Sequence, residues 1–572
     1  MTLRSQRWFL GDDDVGLEHR AAMRATGVEI HAGDDRPVIG ILNSFSELNP
    51  CNMPLRGLAA SVKQGVWAAG GVAVEVPTMS LGEDLMKPTA MLYRNLMAME
   101  VEETLRSHPL DGIVLLGNCD KTVPAQLMGA ASANLPTIVV TGGYRRPGLF
   151  RGTQVGAGTD LWKFWDERRA GRLGDDEWRG LEAAMGCTQG ACNVMGTAMT
   201  MAILVETLGL MLPGSSTLPF DDTRLGAAAA DSGRTIVQLV RDDVRPSDIL
   251  TAAAFGNAMR ALAAVGGSTN AIVHLCAIAG RRGIALPLAS FDEAAAQVPL
   301  LVDVAPVGRQ HIAAFDAAGG VPTLLAQLDR VLDHDVITVH GRLVPAETMH
   351  PAPDSAIRSF DDPVGPVAGL AVLRGTLAPD GAVLKAAAAS PQLLRHTGPA
   401  VVFHNYADML ARVDDPDLPV TPDSVLVLRG CGPRGGDGFP EWGMIPIPKK
   451  LASAGVTDMV RISDARMSGT SYGTCILHVA PDSAGGGPLG LVADGDLIWL
   501  DAATRRLDLV VADDELDRRR AQLAPQPRRH LRGWPALYDR HVLQAPEGAD
   551  FDFLRPASPD ELVFVEPVVG RS

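Results

Sequence analysis

The sequence predicts an α/β protein in two parts. An N-terminal parallel-sheet domain spans residues 1–365, and a smaller, mainly β, barrel-like domain spans residues 366–572. Three observations predict this. Residues 36–160 alternate short Val- and Ile-rich runs with helix-like segments, the pattern of a parallel sheet with helices on both faces. From about residue 365 the texture changes to short strand-like runs parted by Gly and Asp turns. The 572 residues are also too many for one core.

The first strands read as "RPVIGIL" (36–42), "GGVAVEVPT" (70–78), "DGIVLLG" (111–117) and "LPTIVVTGG" (135–143). Each is short, β-branched and closed by turn formers. "PLRGLAASVKQGVWAAG", "MLYRNLMAMEVEETLRSH" and "PAQLMGAASAN" read as the helices between them. Residues 192–212, "CNVMGTAMTMAILVETLGLML", read as a largely buried helix. "AFGNAMRALAAVGGSTNAIVHLCAIAG" reads as more helix, broken at "GGSTN". The second domain then runs through "GLAVLRGTLAPDGAVLK", "AVVFHN", "DSVLVLRG", "MVRISD" and "GPLGLVADGDLIWLDAATRRLDLVV".

Composition is globular, at 46% hydrophobic and 21% charged. A net charge of −16 argues against non-specific binding to nucleic acid or anionic membranes, which needs basic patches. The start, "MTLRSQRWFLGDDDVGLEHR", lacks an apolar h-region, and no long apolar run suits a membrane span. The expectation is a cytoplasmic protein.

A disulfide framework is not expected of the seven cysteines in such a chain. Cys51 ("ELNPCN"), Cys119 ("GNCDK") and Cys192 ("GACNVMG") each lie at the edge of an element, beside Gly, Asn or Pro. Their gaps match no zinc finger and no ferredoxin pattern. Three thiolates on separate loops suit an iron–sulfur cluster with one iron left open; three half-buried thiols are the bland alternative. Cys276 reads as helix core and Cys475 as strand core, while Cys187 and Cys431 are weak ligand alternatives.

In the motif "GNCDKTVP", Cys119, Asp120 and Lys121 stand side by side after a strand, in a chain with only seven lysines. Glu83 follows "PTMSLG" and Glu441 sits in "RGGDGFPEWG". Carboxylate oxygens are what Mg²⁺ takes, although each alone reads as a solvated loop acid. In "RISDARMSGTSYGT", Ser468 and Thr470 offer a base or substrate hydrogen bonds, or simply a polar turn. There is no GxSxG elbow, no Walker A loop and no strand-to-helix GxGxxG.

Taken together, "RSQRWF", "NPCN", "SLGED", "GNCDKTVP", "GACNVMGTAMTM", "LPGSSTLP", "GGSTNAIVHL", "LRGTLAPDGAVLK", "GPRGGDGFPE" and "SDARMSGTSYGT" resemble the iron–sulfur dihydroxy-acid and sugar-acid dehydratases. The likeness is greatest to the pentonate and hexonate dehydratases, such as arabinonate and xylonate dehydratases. The resemblance implies Cys51, Cys119 and Cys192 as ligands of a [2Fe–2S] cluster, and Glu83, Asp120 and Glu441 as Mg²⁺ ligands. It implies Lys121 carried as a carbamate, Ser468 as the base and Thr470 as a substrate contact. The substrate would be a small 2,3-dihydroxy carboxylate, losing water to give a 2-keto-3-deoxy acid. The chain would form a homodimer or a dimer of dimers, with the small domain bringing Glu441 and Ser468 to the metals.

One departure stands out. Many relatives carry a histidine two residues after "CN", where this chain has "CNMPLR", with Met53 and Pro54. Two other readings compete. One is a branched dihydroxy acid of valine and isoleucine synthesis as substrate. The other is a non-catalytic iron–sulfur protein, which would need a fourth thiolate such as Cys187 or Cys431 and would have no use for the Mg²⁺ ligands.

Overall fold

The computed structural model describes residues 3–156, 158–343, 351–352, 354–523, 530–558 and 566–570. Four parallel strands open the fold: β1 (Val38–Asn43), β2 (Val72–Pro77), β3 (Gly112–Leu116) and β4 (Thr137–Val140). Their order in the sheet is β2-β1-β3-β4. β1, β3 and β4 are buried along their whole length, which is why they read as continuous apolar runs rather than alternating ones.

The crossovers run one way from β1 to β2 and the other way from β2 through β3 to β4. Right-handed connections therefore place Leu55–Ala68 on one face, and Arg94–Ser107 and Thr122–Ala133 on the opposite one. The packing agrees. Leu55–Ala68 lies against the Thr223–Asp242 helix, while Arg94–Ser107 lies against Thr122–Ala133.

The run expected as one helix over 192–212 is helical only over Thr197–Thr207. Gly196 is the N-cap, in extended conformation, and residues 192–196 form a loop. The helix pair broken at "GGSTN" is present as Ala252–Val265 and Asn270–Arg281.

The second sheet has eight strands, running from Ala371–Leu373 to Arg506–Val510. Its centre is parallel and its flanks are antiparallel. A bridge from Arg374 to Arg506 links the first and last strands, so the sheet nearly closes into a barrel. Alternate residues face different cores. Ala400, Val402, Val425 and Val427 join one apolar cluster, and Val401, Phe403, Leu426 and Leu428 join another. After the barrel the chain returns to the first domain. Phe551 and Tyr538 pack with Met91, Leu92 and Val273, and Arg281 binds Asp550 at 2.6 Å with both side chains buried.

Candidate functional site

The order of the first sheet reverses between β1 and β3, and ligands of such sheets bind in the crevice outside the strands' carboxyl ends. The loop after β1 carries Cys51, the loop after β2 carries Glu83, and the loop after β3 carries Cys119, Asp120 and Lys121. Two buried asparagines fasten these loops. The Asn118 and Cys119 backbone N–H groups both donate to Asn52 Oδ1 at 3.1 Å. Asn118 Nδ2 donates to the carbonyls of Cys51 and Gly143, each at 2.7 Å.

The chain after β4 brings in the third cysteine. Tyr144 bridges Ala191, Arg145 N donates to Ala191 O at 2.8 Å, and Gly190 N donates to Pro50 O at 3.0 Å. Gly190 has φ +111°, and a Cβ there would lie 2.8 Å from Arg145 N, so glycine is required for this close approach.

Cys119 Sγ donates to Asp120 Oδ1 at 3.5 Å, and the Arg145 guanidinium interacts electrostatically with Cys51 and Cys192. Interaction with Cys51, with burial, pushes the Cys119 thiol well above its usual range. Burial, opposed by Arg145, brings Cys192 up to about 12. A metal held by these thiols would have to displace their protons. Among the described residues the three sulfurs do not all lie within 4.8 Å of one another. A single zinc-type ion would want sulfurs about 3.8 Å apart. Three thiols spread more widely than the shell of one ion fit a cluster of more than one metal. Cys187 is exposed, and Cys431 is packed among apolar residues of the barrel. Cys276 and Cys475 are buried in a helix and a strand, as read from the sequence.

Beside the thiols, Glu83, Asp120 and Glu441 offer carboxylate oxygens that all lie within 4.8 Å of one another. The buried Lys121 ammonium joins them, at 2.5 Å from Asp120, 2.7 Å from Glu441 and 3.2 Å from Glu83. Glu441 arrives from the barrel domain. A bridge between Trp442 and Met467 aligns its loop with the serine loop, and Arg466 Nη1 holds Glu441 Oε1 at 2.7 Å. Asn270 Nδ2 reaches the same oxygen at 2.7 Å. Thr89 Oγ1 donates to Glu83 Oε1 at 2.6 Å.

Burial opposes ionisation of Glu441. The Lys121 and Arg466 cations, with two hydrogen bonds, outweigh it and bring the carboxyl down to about 2. Glu83 moves the other way. Burial dominates there, and the two neighbouring carboxylates add to it against the Lys121 cation. The same three anions hold the Lys121 ammonium above its usual range, against the effect of burial.

Ser468 and Thr470 stand with their hydroxyls 2.9 Å apart. Thr159 Oγ1 donates to Thr470 O at 2.9 Å, and Asn270 Nδ2 lies 3.2 Å from Met467 O. A Cβ added to Gly196 would lie 3.0 Å from Thr470 Cγ2 and 3.9 Å from Cys192 Cβ, so both residues flank this one glycine. Pro54 caps the Leu55–Ala68 helix, and Met53 is half-buried in the turn before it.

The donor set fits a hard dication. Three carboxylates converge, and Asn270 Oδ1, beside Glu441, is buried without a hydrogen-bond partner. An octahedral Mg²⁺ shell separates its oxygens by about 3 to 4 Å, close to the spread seen here. The sequence reading did not single out Asn52, Asn118, Arg145, Asn270 or Arg466. For the asparagines the signal was present: polar residues stand inside "NPCN", "GNCDK" and "GGSTN", at positions that prove fully buried.

The dihydroxy-acid/6-phosphogluconate dehydratase N-terminal domain matches residues 36–347, and the corresponding C-terminal domain matches residues 355–549. The chain is 48% identical to a 6-deoxy-6-sulfo-D-gluconate dehydratase of Pseudomonas putida, over 97% of this chain and 96% of that protein. It is 47% identical to an L-arabinonate dehydratase of Rhizobium leguminosarum bv. trifolii, over 97% and 96%. It is 38% identical to a dihydroxy-acid dehydratase of Moorella thermoacetica, over 93% and 97%. With both domains matched in order and the site residues converging between them, this chain belongs to the dihydroxy-acid/6-phosphogluconate dehydratase family.

Proposed function

We propose that the protein is a sugar-acid dehydratase that removes water from an aldonate, a 2,3-dihydroxy carboxylate, to give a 2-keto-3-deoxy acid. The observation that carries the reading is the convergence of Glu83, Asp120 and Lys121 with Glu441 and the Ser468 loop, drawn from both domains, beside three thiols. Cys51, Cys119 and Cys192 would hold a [2Fe–2S] cluster, and Glu83, Asp120, Glu441 and a carbamate on Lys121 would hold Mg²⁺. When bound, these groups supply Lewis acidity at the carboxylate and 2-hydroxyl on one side and at the departing 3-hydroxyl on the other.

The protein's own groups do the rest. Ser468 would take the C2 proton as base, and the Thr470 hydroxyl, 2.9 Å away, would hold the serine oxygen in line. The C2 proton and the 3-hydroxyl leave as one water, and the enol left behind tautomerises to the keto acid. Glu83, Asp120 and Glu441 against Lys121 and Arg466 sum to −3 + 2 = −1 if all are ionised. An anionic carbamate on Lys121 makes it −4 + 1 = −3, a deficit that a buried site needs a dication to offset.

The aldonate is favoured over a branched dihydroxy acid for two reasons. The relatives at 46–48% identity act on sugar acids, whereas the dihydroxy-acid dehydratases stand at 36–38%. The side chains around Cys192 and Thr470 include Arg145, Asp84 and Thr159, polar groups that suit a polyol tail. The reading includes a cytoplasmic homodimer or homotetramer. Among the described residues no helix is long and apolar enough to cross a membrane. Anaerobic, iron-loaded protein with Mg²⁺ tests the reading. Keto acid formed from an aldonate supports it, and an intact cluster with no turnover of any dihydroxy acid defeats it.

A further inference from the structure

Lys385 closes the Gly381–Leu384 strand of the barrel and is fully buried. Its ammonium donates to Gly469 O at 3.1 Å. Among the described residues no carboxylate lies within ion-pair reach of it, and burial alone brings its amine down to about 7. Asp458, on a neighbouring loop, is committed elsewhere: to Arg461 at 2.7 Å, Thr474 Oγ1 at 2.8 Å and Ser390 N at 3.2 Å. Burying a cation without a counter-charge costs several kcal/mol, and an apolar side chain of the same size would avoid that cost. Lysine at this position therefore calls for a purpose other than stability.

Its one hydrogen-bond acceptor among the described residues indicates the purpose. Gly469 is the residue between Ser468 and Thr470, whose hydroxyls are 2.9 Å apart. The other side of Gly469 is already gripped. A Cβ there would lie 2.5 Å from Thr197 N and 2.8 Å from Ser268 Cβ. The chain after Lys385 then runs along the rest of the serine loop. Gly473 N donates to Ala388 O at 2.8 Å, and Ser390 N donates to Thr474 Oγ1 at 3.3 Å. The segment is a brace for the loop, and Lys385 is its contact at the reacting end.

We propose that Lys385 is a positioning residue for the dehydration: its ammonium fixes the Gly469 carbonyl, and through that peptide it aims the Ser468 and Thr470 hydroxyls. The inference rests on the functional reading that gives Ser468 and Thr470 their roles. It assigns Lys385 no contact with substrate or metal.

Lys385→Met tests it, because methionine keeps the volume and removes both donor and charge. Wild type and variant, both iron-loaded and with Mg²⁺, are compared on an aldonate that the wild type turns over. A displaced hydroxyl pair lowers kcat by about 10- to 100-fold. KM stays within about threefold, because the groups expected to hold the substrate carboxylate are untouched. Iron content stays unchanged, and the melting temperature holds or rises, as expected when a buried unpaired charge is removed. Lys385→Ala supplies a second arm, in which ethylamine or propylamine in the buffer restores part of the lost kcat. A Met variant with wild-type kcat overturns the inference. A kcat loss that only tracks lost folding or lost iron in both variants, with no amine rescue, also overturns it. Absence of turnover by the wild type itself overturns the functional reading, and this inference falls with it.

Discussion

Lys121 Nζ and Glu441 Oε1, 320 residues apart in the chain, meet at 2.7 Å. Lys121 caps the Thr122–Ala133 helix that follows β3, and Glu441 stands on a barrel loop paired with the serine loop. The contact therefore joins the barrel loop that pairs with the serine loop to the Glu83, Asp120 and Lys121 cluster of the first domain. Glu441 is also held by Arg466 and Asn270, so its carboxylate is oriented from three sides. Glu441→Gln keeps the shape and removes the charge. The expected outcome is a fall in kcat/KM of about 100-fold or more with the fold intact, read by steady-state kinetics and circular dichroism. Turnover within a few-fold of wild type would show that this carboxylate is not needed.

Lys121 gains one CO₂ on carbamylation, an addition that native mass spectrometry reads directly. The adduct is expected when Mg²⁺ and bicarbonate are present together. It is expected to fade when Mg²⁺ is withdrawn, because the free ammonium is held protonated by three carboxylates. Lys121→Ala should lose turnover and Mg²⁺ response together. Full activity and unchanged Mg²⁺ dependence in that variant would remove the carbamate from the account.

The two proposed metal groups separate by treatment. A chelator of divalent ions should abolish turnover reversibly, with added Mg²⁺ restoring it and iron and sulfide content unchanged. Cys192→Ser should do the reverse, losing iron and visible absorbance while Mg²⁺ no longer restores activity. Loss of iron on mild chelation of Mg²⁺ would show that the two groups are not independent.

The architecture was legible because burial in this fold is simple where the chain is regular. β1, β3 and β4 are covered along their length, so Val38–Asn43, Gly112–Leu116 and Thr137–Val140 stand out as apolar runs. The helix expected from Cys192 starts instead at Thr197, because Gly196 takes an extended cap and the residues before it are needed as a loop at the site. The candidate site was legible as a set of motifs but not as a geometry. No local pattern in "GGSTN" announces that Asn270 will reach Glu441, and Arg466 reads as one more arginine in a polar turn until its partner appears 25 residues away. Contacts between distant segments decide these roles, and periodicity does not record them.

Away from the site, Glu206 is buried and accepts the backbone N–H groups of Gly214 and Ser216 at 2.6 and 3.1 Å. Burial, only partly offset by those bonds, raises its carboxyl to about 7. A carboxyl whose folded value lies above its unfolded one binds its proton more tightly in the fold, so its ionisation costs stability as pH rises from about 4.5 to 7. Glu206→Gln is free of that cost. Its stability relative to wild type should rise between pH 5 and 7.5, by roughly 3 kcal/mol at most. Thermal melts of the pair across that range check the sign, and a difference that stays flat or falls would contradict it.

The most direct test of the central claim is the substrate panel. Anaerobically purified, iron-loaded protein with Mg²⁺ is offered arabinonate, xylonate, galactonate, gluconate and 2,3-dihydroxyisovalerate, and 2-keto acid is measured. The account predicts keto acid from at least one aldonate, at a kcat/KM well above that for the branched acid. A preference for 2,3-dihydroxyisovalerate, or no keto acid from any of them with the cluster intact, would contradict it.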